Sequence, residues 1–343
     1  MTIALDATYS LGRNLSGVGV YSREILFGLA RAHPDDQFRF CYRSHRFLRS
    51  IRERLPPNAA RSLLRGTPPG DLFHALNQRV GFDPPTYRPG RIVSTFHDLF
   101  VMTGDYSSPE FRARFTEQAR SAAERSDAVI AVSQFTASQV ETLLKVDRSR
   151  IFVVPHGVHP PPQAPVDREN IVLFVGAIQR RKNVARLVRA FEKMPVDWKL
   201  VLAGASDGYG AAEELQAVNA SPRRSSIELL GYLPDAELDR LYQRARIFAF
   251  PSLDEGFGMP VLEGMAHGVP VIASQSSALP EVAGDAALLV DPMDSDALAD
   301  ALLRLATNPD LRDDLAIRGL ERARAFTWKS AVERTWSVYN EVK

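Results

Sequence analysis

The sequence predicts an α/β protein made of two doubly wound domains, and three observations support this. The chain has 343 residues, which is more than one hydrophobic core usually serves. Short apolar runs alternate with amphipathic helical stretches along its length, a pattern typical of βα units and mainly parallel sheets. A proline-rich stretch at 159–170 interrupts the alternation. Because proline fixes φ and has no amide donor, this stretch predicts a linker between domains.

The first half contains the first run of alternating elements. Strands are predicted at 3–6, 38–42, 72–75, 92–96, 129–132 and 152–154, and helices at 20–31, 111–125 and 136–145. We expect these elements to form a first domain, residues 1–163.

The second half shows the alternation most clearly. Strands are predicted at 171–178, 200–205, 227–233, 247–251, 269–273 and 287–290, and helices at 183–194, 211–218, 235–245, 261–267, 298–306 and 311–325. These elements predict a second domain, residues 164–326. A last helix at 329–341 lies in segment 327–343, which we expect to cross back to the first domain.

The composition excludes several classes of protein. Apolar residues make up 45% and charged residues 24% of the chain, which is ordinary for a globular protein and not for a disordered or fibrous one. Cys41 is the only cysteine, so an internal disulfide framework is excluded. The first residues lack the pattern of a secretion signal, and no stretch of about 18 apolar residues follows. We therefore expect a cytoplasmic protein.

Positive charge is concentrated in the first half. Lys and Arg exceed Asp and Glu by 6 up to Val166, while the acids exceed by 5 afterwards. Residues 43–65 hold one acid, Glu53, and seven arginines: Arg43, Arg46, Arg49, Arg52, Arg54, Arg61 and Arg65. The ordinary interpretation is a solvated helix face. The alternative is a surface for an anionic acceptor or for anionic lipid at the inner face of the membrane. Nothing indicates nucleic-acid binding.

The segment from Ala249 to Pro270 carries the strongest sign of a ligand site. A strand is predicted to end at Pro251, a loop with Gly256, Phe257 and Gly258 follows, and Pro260 begins a helix. Open α/β sheets bind ligands at this end of a strand. The carboxylates of Glu255 and Glu263 could accept hydrogen bonds from the hydroxyls of a sugar and a ribose. The alternative is a plain helix-entry turn in which Glu263 stabilises the helix dipole.

The spacing Glu255-x7-Glu263 in E-G-F-G-M-P-V-L-E-G-M-A resembles the retaining glycosyltransferases of family GT4. The resemblance extends over nearly the whole chain. It includes S-G-V-G-V-Y, the H-D at His97, V-P-H-G-V, G-A-I-Q-R-R-K-N and G-Y-L-P-D-A-E-L. It implies the GT-B architecture, in which two Rossmann-like domains face a cleft. The first domain, residues 1–163, would lie on the acceptor side, and the second, residues 164–326, would bind the nucleotide-sugar.

The resemblance assigns the basic turn G-A-I-Q-R-R-K-N to the donor phosphates. Lys182 matches the lysine that grips the diphosphate in this family, where a preorganised cation does the electrostatic work of a metal. Many relatives carry an arginine where this chain has Ala177, so Arg181 or Arg180 would replace that contact. An exposed basic turn at a helix start is the alternative, although a cation there opposes the dipole.

Two further sites are predicted in the first domain. The turn S-G-V-G is weak evidence alone, but in GT4 enzymes it faces the leaving diphosphate, and Gly17 and Gly19 match it. His97 follows a strand, and a lone histidine there usually serves packing. The resemblance implies instead that His97 contacts the donor sugar. Asp98 either orients it or caps the next turn.

Two segments resemble functional motifs without carrying chemistry. Asp294-Ser295-Asp296 spells the D-x-D of metal-dependent glycosyltransferases, but it precedes a helical pattern, so Asp294 is predicted to be an N-cap. Ser133 is predicted to cap the helix at 136–145. We therefore expect a metal-independent enzyme without a cofactor.

These features predict a retaining hexosyltransferase of polysaccharide biosynthesis, with Lys182, Glu255 and His97 as catalytic residues. The resemblance favours GDP-mannose as the donor, with dTDP-rhamnose or a UDP-sugar as alternatives, and a glycan or lipid-linked acceptor. A sugar-nucleotide epimerase or hydrolase, or a non-catalytic nucleotide-sugar-binding protein, remains the alternative of another class. The first would consume donor without acceptor, and the second would show no turnover.

Overall fold

The computed structural model describes residues 1–12, 14–64, 68, 70–80, 90–161 and 167–343. Their packing divides the chain into two compact units. Unit 1 contains Met1–Thr103, Ser108–Gly157 and Thr327–Lys343, and unit 2 contains Gly104–Ser107 and Val158–Phe326. The boundary expected at 163/164 falls in 162–166, outside the described residues, as do Pro162 and Pro165 of the expected linker.

Each unit contains one sheet in which all described strands are parallel. Unit 1 contains β1 (Thr2–Asp6), β2 (Gln37–Tyr42), β3 (Ala59–Leu63), β4 (Leu72–Ala75), β5 (Arg91–Phe96), β6 (Ala128–Ala131) and β7 (Ile151–Val153). Unit 2 contains β8 (Glu169–Val175), β9 (Lys199–Ala203), β10 (Ile227–Gly231), β11 (Ala245–Phe250), β12 (Val271–Ser274) and β13 (Ala287–Val290).

The two sheets share one topology. The strand order is β3-β2-β1-β4-β5-β6-β7 in unit 1 and β10-β9-β8-β11-β12-β13 in unit 2. The direction of strand addition therefore reverses between β1 and β4, and again between β8 and β11, where Phe248 pairs with Leu173. Such switch points open a crevice at the carboxyl ends of the strands. In each unit, the switch point is therefore a position where a ligand could bind.

Helices connect the strands. They are α1 (Gly17–Ala32), α2 (Ser44–Ser50), α3 (Phe100–Thr103), α4 (Pro109–Arg125), α5 (Gln134–Leu144), α6 (Val184–Phe191), α7 (Ala211–Ala220), α8 (Asp235–Arg244), α9 (Met259–Ala266), α10 (Leu279–Ala283), α11 (Ser295–Thr307), α12 (Pro309–Arg324) and α13 (Trp328–Glu341). The last of these packs on α1 in unit 1, where a Cβ on Gly28 would lie 2.4 Å from Val332. No helix among the described residues has the length and apolar content needed to cross a bilayer.

The cores follow from the apolar runs. The last five residues of β8 are all buried, as expected for a parallel strand covered on both faces. Cys41 lies on β2 and is fully buried in the core of unit 1. The free energy of folding in both units therefore comes mainly from continuous apolar strands and the helices that cover them.

The structure corrects two strand boundaries and the interpretation of one charged run. The strand expected at 171–178 ends at Val175, because Gly176 takes φ +149° while Ile178 stays buried in the following loop. The strand also begins earlier than expected, at Glu169, so the last two residues of the expected linker belong to β8. The described part of the basic run, residues 43–64, is not one helix face, since it forms α2, a turn and the edge strand β3. Small residues and one arginine make up most of β3 and concealed that strand.

Candidate active site

The candidate site in unit 2 lies at the switch point between β8 and β11. The loop after β8 contains the basic turn, and the loop after β11 contains Glu255. Because β8 and β11 are paired in the sheet, their carboxyl ends place the two loops side by side. Two segments separated by about seventy residues in the sequence thus meet in one crevice.

The basic turn is held in an irregular backbone conformation. Residues Arg180–Lys182 form a single 3-10 turn that ends at Asn183, whose φ is +61°. The buried side-chain amide of Asn183 donates through Nδ2 to the carbonyl oxygens of Pro251 (2.9 Å) and Pro292 (2.7 Å). Asparagine tolerates this left-handed backbone better than most residues. These bonds fix the direction in which the cations of the turn point.

Lys182, Arg181 and Glu255 form a buried ion cluster. Lys182 Nζ lies 2.6 Å and Arg181 Nη1 2.7 Å from the same oxygen, Glu255 Oε1. Ser252 Oγ donates to that oxygen at 2.6 Å. Lys182 Nζ also lies 4.5 Å from the centre of the Phe250 ring, a cation–π contact. The cluster carries two positive charges and one negative charge, so a net positive charge is held in the crevice.

Glu255 is ionised throughout the physiological pH range. Its burial favours the neutral acid, but Arg181 and Lys182 outweigh this effect and lower the pKa of Glu255 to about 2. The Glu255 backbone amide donates to Ser277 Oγ at 2.9 Å. The carboxylate is therefore a fixed hydrogen-bond acceptor, suited to sugar hydroxyls and poorly suited to give or take a proton near pH 7.

The rest of the second loop shapes the crevice. Gly256, Phe257 and Gly258 are buried, and the Phe257 ring packs on Phe326 with centroids 5.8 Å apart. Gly258 takes φ +108°, and a Cβ there would lie 2.5 Å from Leu279. Pro260 is in the first turn of α9. A glycine is therefore required at position 258, because a side chain there would meet both an unfavourable φ and the Leu279 side chain.

Glu263 forms its hydrogen bond with a residue outside the ion cluster. Its Oε2 accepts a hydrogen bond from the Tyr242 hydroxyl at 3.0 Å. Burial raises the pKa of Glu263, an effect that the Tyr242 bond opposes and that the nearby Asp235 and Asp239 reinforce. One carboxylate oxygen is thus tied to the helix α8, and the group keeps further capacity to accept a hydrogen bond.

In unit 1 the predicted glycine turn begins α1. Ser16 is the N-cap, and its hydroxyl accepts from the Gly19 amide at 3.3 Å. A Cβ on Gly19 would lie 2.9 Å from the Tyr9 carbonyl oxygen, whereas a Cβ on Gly17 would meet nothing within 4 Å. Packing therefore requires a glycine at 19. At 17 the missing side chain leaves open space beside the helix start.

His97 belongs to a buried cluster of aromatic rings in unit 1. Its Nε2 donates to the Leu76 carbonyl at 3.0 Å, which fixes the tautomer and leaves Nδ1 as an acceptor. The ring packs edge-on against Tyr21 (4.8 Å) and stacks on His156 (5.5 Å). Burial lowers the pKa of His97 to about 4. The side chain is therefore neutral at pH 7 and cannot act as a cation.

A chain of hydrogen bonds lies next to His97. Tyr339 OH contacts His74 Nδ1 at 2.6 Å, His74 Nε2 contacts Thr95 Oγ1 at 2.8 Å, and that hydroxyl contacts Tyr21 OH at 2.9 Å. Burial lowers the pKa of His74 to about 3, and the pKa of His156 falls well below its usual value for the same reason. The chain links α13, β4, β5 and α1 through neutral groups.

Comparisons with known proteins agree with this arrangement. The glycosyltransferase family 4 model matches residues 15–160, and the glycosyl transferases group 1 model matches residues 158–322. The chain is 28% identical to O-antigen chain mannosyltransferase B of Escherichia coli, over 97% of this chain and 98% of that one. It is 30% identical to the D-inositol 3-phosphate glycosyltransferase of Actinosynnema mirum, over 74% of this chain and 67% of that one.

The chain belongs to glycosyltransferase family 4. Its fold is the GT-B architecture of that family: a crystal structure of HepE from Anabaena, in complex with UDP and glucose, matches with a TM-score of 0.73 over 99% of each chain at 15% identity. The enzyme is a hexosyltransferase.

For this family 4 enzyme, the turn that lacks the common arginine has two candidate replacements. Arg181 lies in the ion cluster, with Nη1 also bonded to the Asp254 carbonyl. Arg180 instead pairs with Asp105 (2.7 Å) and with Glu213 (3.6 Å). The ion cluster therefore contains Arg181, and the ion pairs of Arg180 lie outside it.

Both residues that were expected to be caps have that role. Asp294 Oδ1 accepts from the amides of Asp296 and Ala297, each at 2.9 Å, and Ser133 Oγ accepts from the Thr136 amide at 3.0 Å. These two predictions are confirmed.

The glycosyltransferase site also contains residues that the sequence did not indicate. Ser252 holds Glu255, and Gly104–Ser107 supplies Asp105 to Arg180. A serine at the end of a strand was visible in the sequence, but its partner was not. The sequence of 104–107 indicates only a loop, and nothing local predicts that it packs within unit 2.

Proposed function

We propose that this glycosyltransferase transfers a mannosyl residue from GDP-mannose to a glycan or lipid-linked acceptor, with retention of the anomeric configuration. The observation that carries the proposal is the Lys182–Glu255–Arg181 cluster at the switch point of unit 2. Its cations match a diphosphate and its carboxylate matches sugar hydroxyls. The choice of mannose is supported by the relative named O-antigen chain mannosyltransferase B.

The residues of the cluster would act on both sides of the bond that breaks. Lys182 and Arg181 would stabilise the negative charge that grows on the diphosphate as the sugar C1–O bond breaks. Glu255 would accept hydrogen bonds from the sugar, and Glu263 would accept from the ribose.

The charge state of Glu255 supports a front-face reaction. Its low pKa and three bonding partners make it a poor nucleophile. In our proposal the acceptor oxygen bonds to C1 on the face that the diphosphate leaves, and the acceptor hydroxyl proton passes to the leaving diphosphate oxygen. No covalent enzyme intermediate is required.

A nucleotide panel tests the donor. Thermal unfolding is measured with GDP, UDP and dTDP and with their sugar conjugates, since a ligand at 100 times its Kd adds about 2.7 kcal/mol of stability. We expect the largest shift with GDP and GDP-mannose. A shift with UDP alone would favour a UDP-sugar, an alternative supported by the HepE complex with UDP and glucose. A shift with dTDP alone would favour dTDP-rhamnose.

Transfer itself requires a second measurement. With the donor identified, NMR of the first product formed should show the anomeric configuration of the donor. An inverted product would contradict the front-face mechanism. Donor consumption that is independent of any acceptor would instead indicate a hydrolase or epimerase.

We also propose that α2 contacts an anionic membrane from the cytoplasmic side. Leu48 and Ile51 are 77% and 59% exposed, and the exposed arginines Arg49, Arg52 and Arg54 surround them. Arg43 and Arg61 are occupied instead, Arg43 by Asp6 at 3.7 Å and Arg61 by the Ser50 carbonyl at 2.9 Å. Arg65 lies outside the described residues. Apolar side chains among cations are typical of helices that lie in a membrane interface.

Vesicle binding tests this contact. The protein should sediment with phosphatidylglycerol vesicles and not with phosphatidylcholine vesicles, and Leu48→Ser/Ile51→Ser should lose this binding. The control is Met293→Ser/Ile317→Ser, which removes apolar groups of similar exposure (61% and 60%) from unit 2. Equal loss in both variants would contradict the assignment to α2.

A further inference from the structure

A cavity of unit 1 lies beside the predicted glycine turn. It has a volume of about 440 Å³, and its lining includes Tyr9, Asn14 and Ser16 from the described residues of the loop after β1, together with Arg46 and Arg49 from α2. This volume lies within the range of about 300–1,000 Å³ that is typical of small-molecule sites. The loop follows β1, one of the two strands at the switch point of unit 1. The cavity is thus located where such sheets bind ligands.

The charges around this cavity are unbalanced. Arg46 and Arg49 are one turn apart on α2, so their side chains leave the same face of the helix. Within the described part of the chain, neither guanidinium has a carboxylate at ion-pair distance. The acids nearby are already occupied, because Glu53 pairs with Arg23 at 3.2 Å and Asp6 with Arg43.

A third arginine reaches the wall of the cavity from the segment that follows β4. Arg79 Nη1 donates to the Tyr9 hydroxyl at 3.1 Å. This bond orients a lining side chain and brings a further positive charge close. The first turn of α1, capped by Ser16, adds its positive end to the same cavity. Cations on separate elements therefore converge on one volume.

We infer that this cavity binds the phosphate group of the acceptor, with Arg46 and Arg49 as its ligands. Guanidinium groups bind phosphate oxygens through paired, charge-assisted hydrogen bonds. The inference rests on the proposed function, and it narrows the acceptor class to sugars carried on a phosphate ester. The exposed Leu48 and Ile51 on the same helix suit a lipid on the other side of that ester.

The experiment measures binding without donor. Wild-type protein is titrated calorimetrically with octyl mannosyl phosphate and with octyl mannoside, which lacks the phosphate. We expect the phosphate-bearing probe to bind at least about tenfold more tightly. Arg46→Gln/Arg49→Gln should abolish this preference, whereas Arg189→Gln/Arg240→Gln, which changes two exposed arginines of unit 2, should keep it. Equal affinity for the two probes, or a preference that survives Arg46→Gln/Arg49→Gln, overturns the inference.

Three further arms separate this inference from its neighbours. Inorganic phosphate should compete with octyl mannosyl phosphate in wild type, which shows that the phosphate and not the alkyl chain is recognised. GDP affinity should be equal in all variants. A loss of GDP affinity in Arg46→Gln/Arg49→Gln would assign the cavity to the donor and overturn the inference. If no nucleotide binds wild type while the phosphate preference holds, the proposed donor fails and the phosphate site stands.

Discussion

At the switch point of unit 2, the strands end in two cations and a carboxylate. Around β4 and β5 of unit 1, the corresponding region contains histidines and tyrosines that are held neutral by burial. The six strands of unit 2 follow the same order as the first six strands of unit 1, so the fold does not dictate this difference. A diphosphate needs charge, and charge must be balanced when it is buried. Neutral rings can be buried without a counter-ion, but they resist protonation.

The largest expected effect is the loss of folding stability that acidification causes through the buried histidines of unit 1. The pKa of His74 (about 3) and that of His97 (about 4) lie below the unfolded value near 6.5. Below pH 6.5 the unfolded chain therefore binds protons that the folded chain does not, and the free energy of unfolding decreases. At pH 5 the loss is about 2 kcal/mol for each histidine, so about 4 kcal/mol together. Glu255 does not contribute there, because its stabilisation is lost only as pH falls from 4.5 through about 2.

Urea unfolding at pH 7.5 and pH 5.0 measures this loss. His97→Asn should reduce the difference between the two pH values, while His159→Asn, at an exposed position, should leave it unchanged. An identical pH dependence in His97→Asn and wild type would show that the cluster is not the cause.

Removing the lysine of the charged site should have the next largest effect. Lys182→Ala should lower kcat/KM roughly 150-fold, which corresponds to a loss of about 3 kcal/mol of transition-state stabilisation. The measurement is steady-state transfer with the donor found in the nucleotide panel. Lys193→Ala removes a lysine that is paired with Asp296 on the surface, and should leave kcat/KM unchanged. A loss below threefold in Lys182→Ala would contradict its role.

Removing one hydroxyl from the neutral site should cost less. Tyr339→Phe leaves His74 Nδ1 buried without its partner at 2.6 Å. The free energy of unfolding should decrease by about 2 kcal/mol. Tyr232→Phe changes a tyrosine that is 43% exposed and should have little effect. Equal urea midpoints for the two variants would show that the hydrogen-bond chain contributes no stability.

The smallest effect is expected outside both switch points. Asp294→Ala should decrease the free energy of unfolding by about 1 kcal/mol, because α11 loses its cap. Transfer activity should be unchanged, with or without a chelator. Loss of activity that added Mn²⁺ restores would mean that the D-x-D sequence binds a metal.

The sequence predicted the parallel sheets and the two loops that follow β8 and β11, since apolar runs and glycines are local signals. It also predicted Lys182 and Glu255 as site residues, and the structure joins them. It could not predict that Arg181 shares the Glu255 oxygen while Arg180 points to Asp105, because adjacent arginines are equivalent in sequence. It overlooked β3, whose pairing with β2 is a long-range property.

The single thiol of this enzyme offers a practical consequence. Cys41 is fully buried, and burial raises its pKa to about 12, so it stays protonated and hidden from alkylating reagents. A cysteine introduced on the surface would therefore be the one reactive handle on the native chain. Two such handles, one in each unit, would carry a fluorophore pair without a cysteine-free background, so the distance between the two labels could be measured during turnover in single molecules.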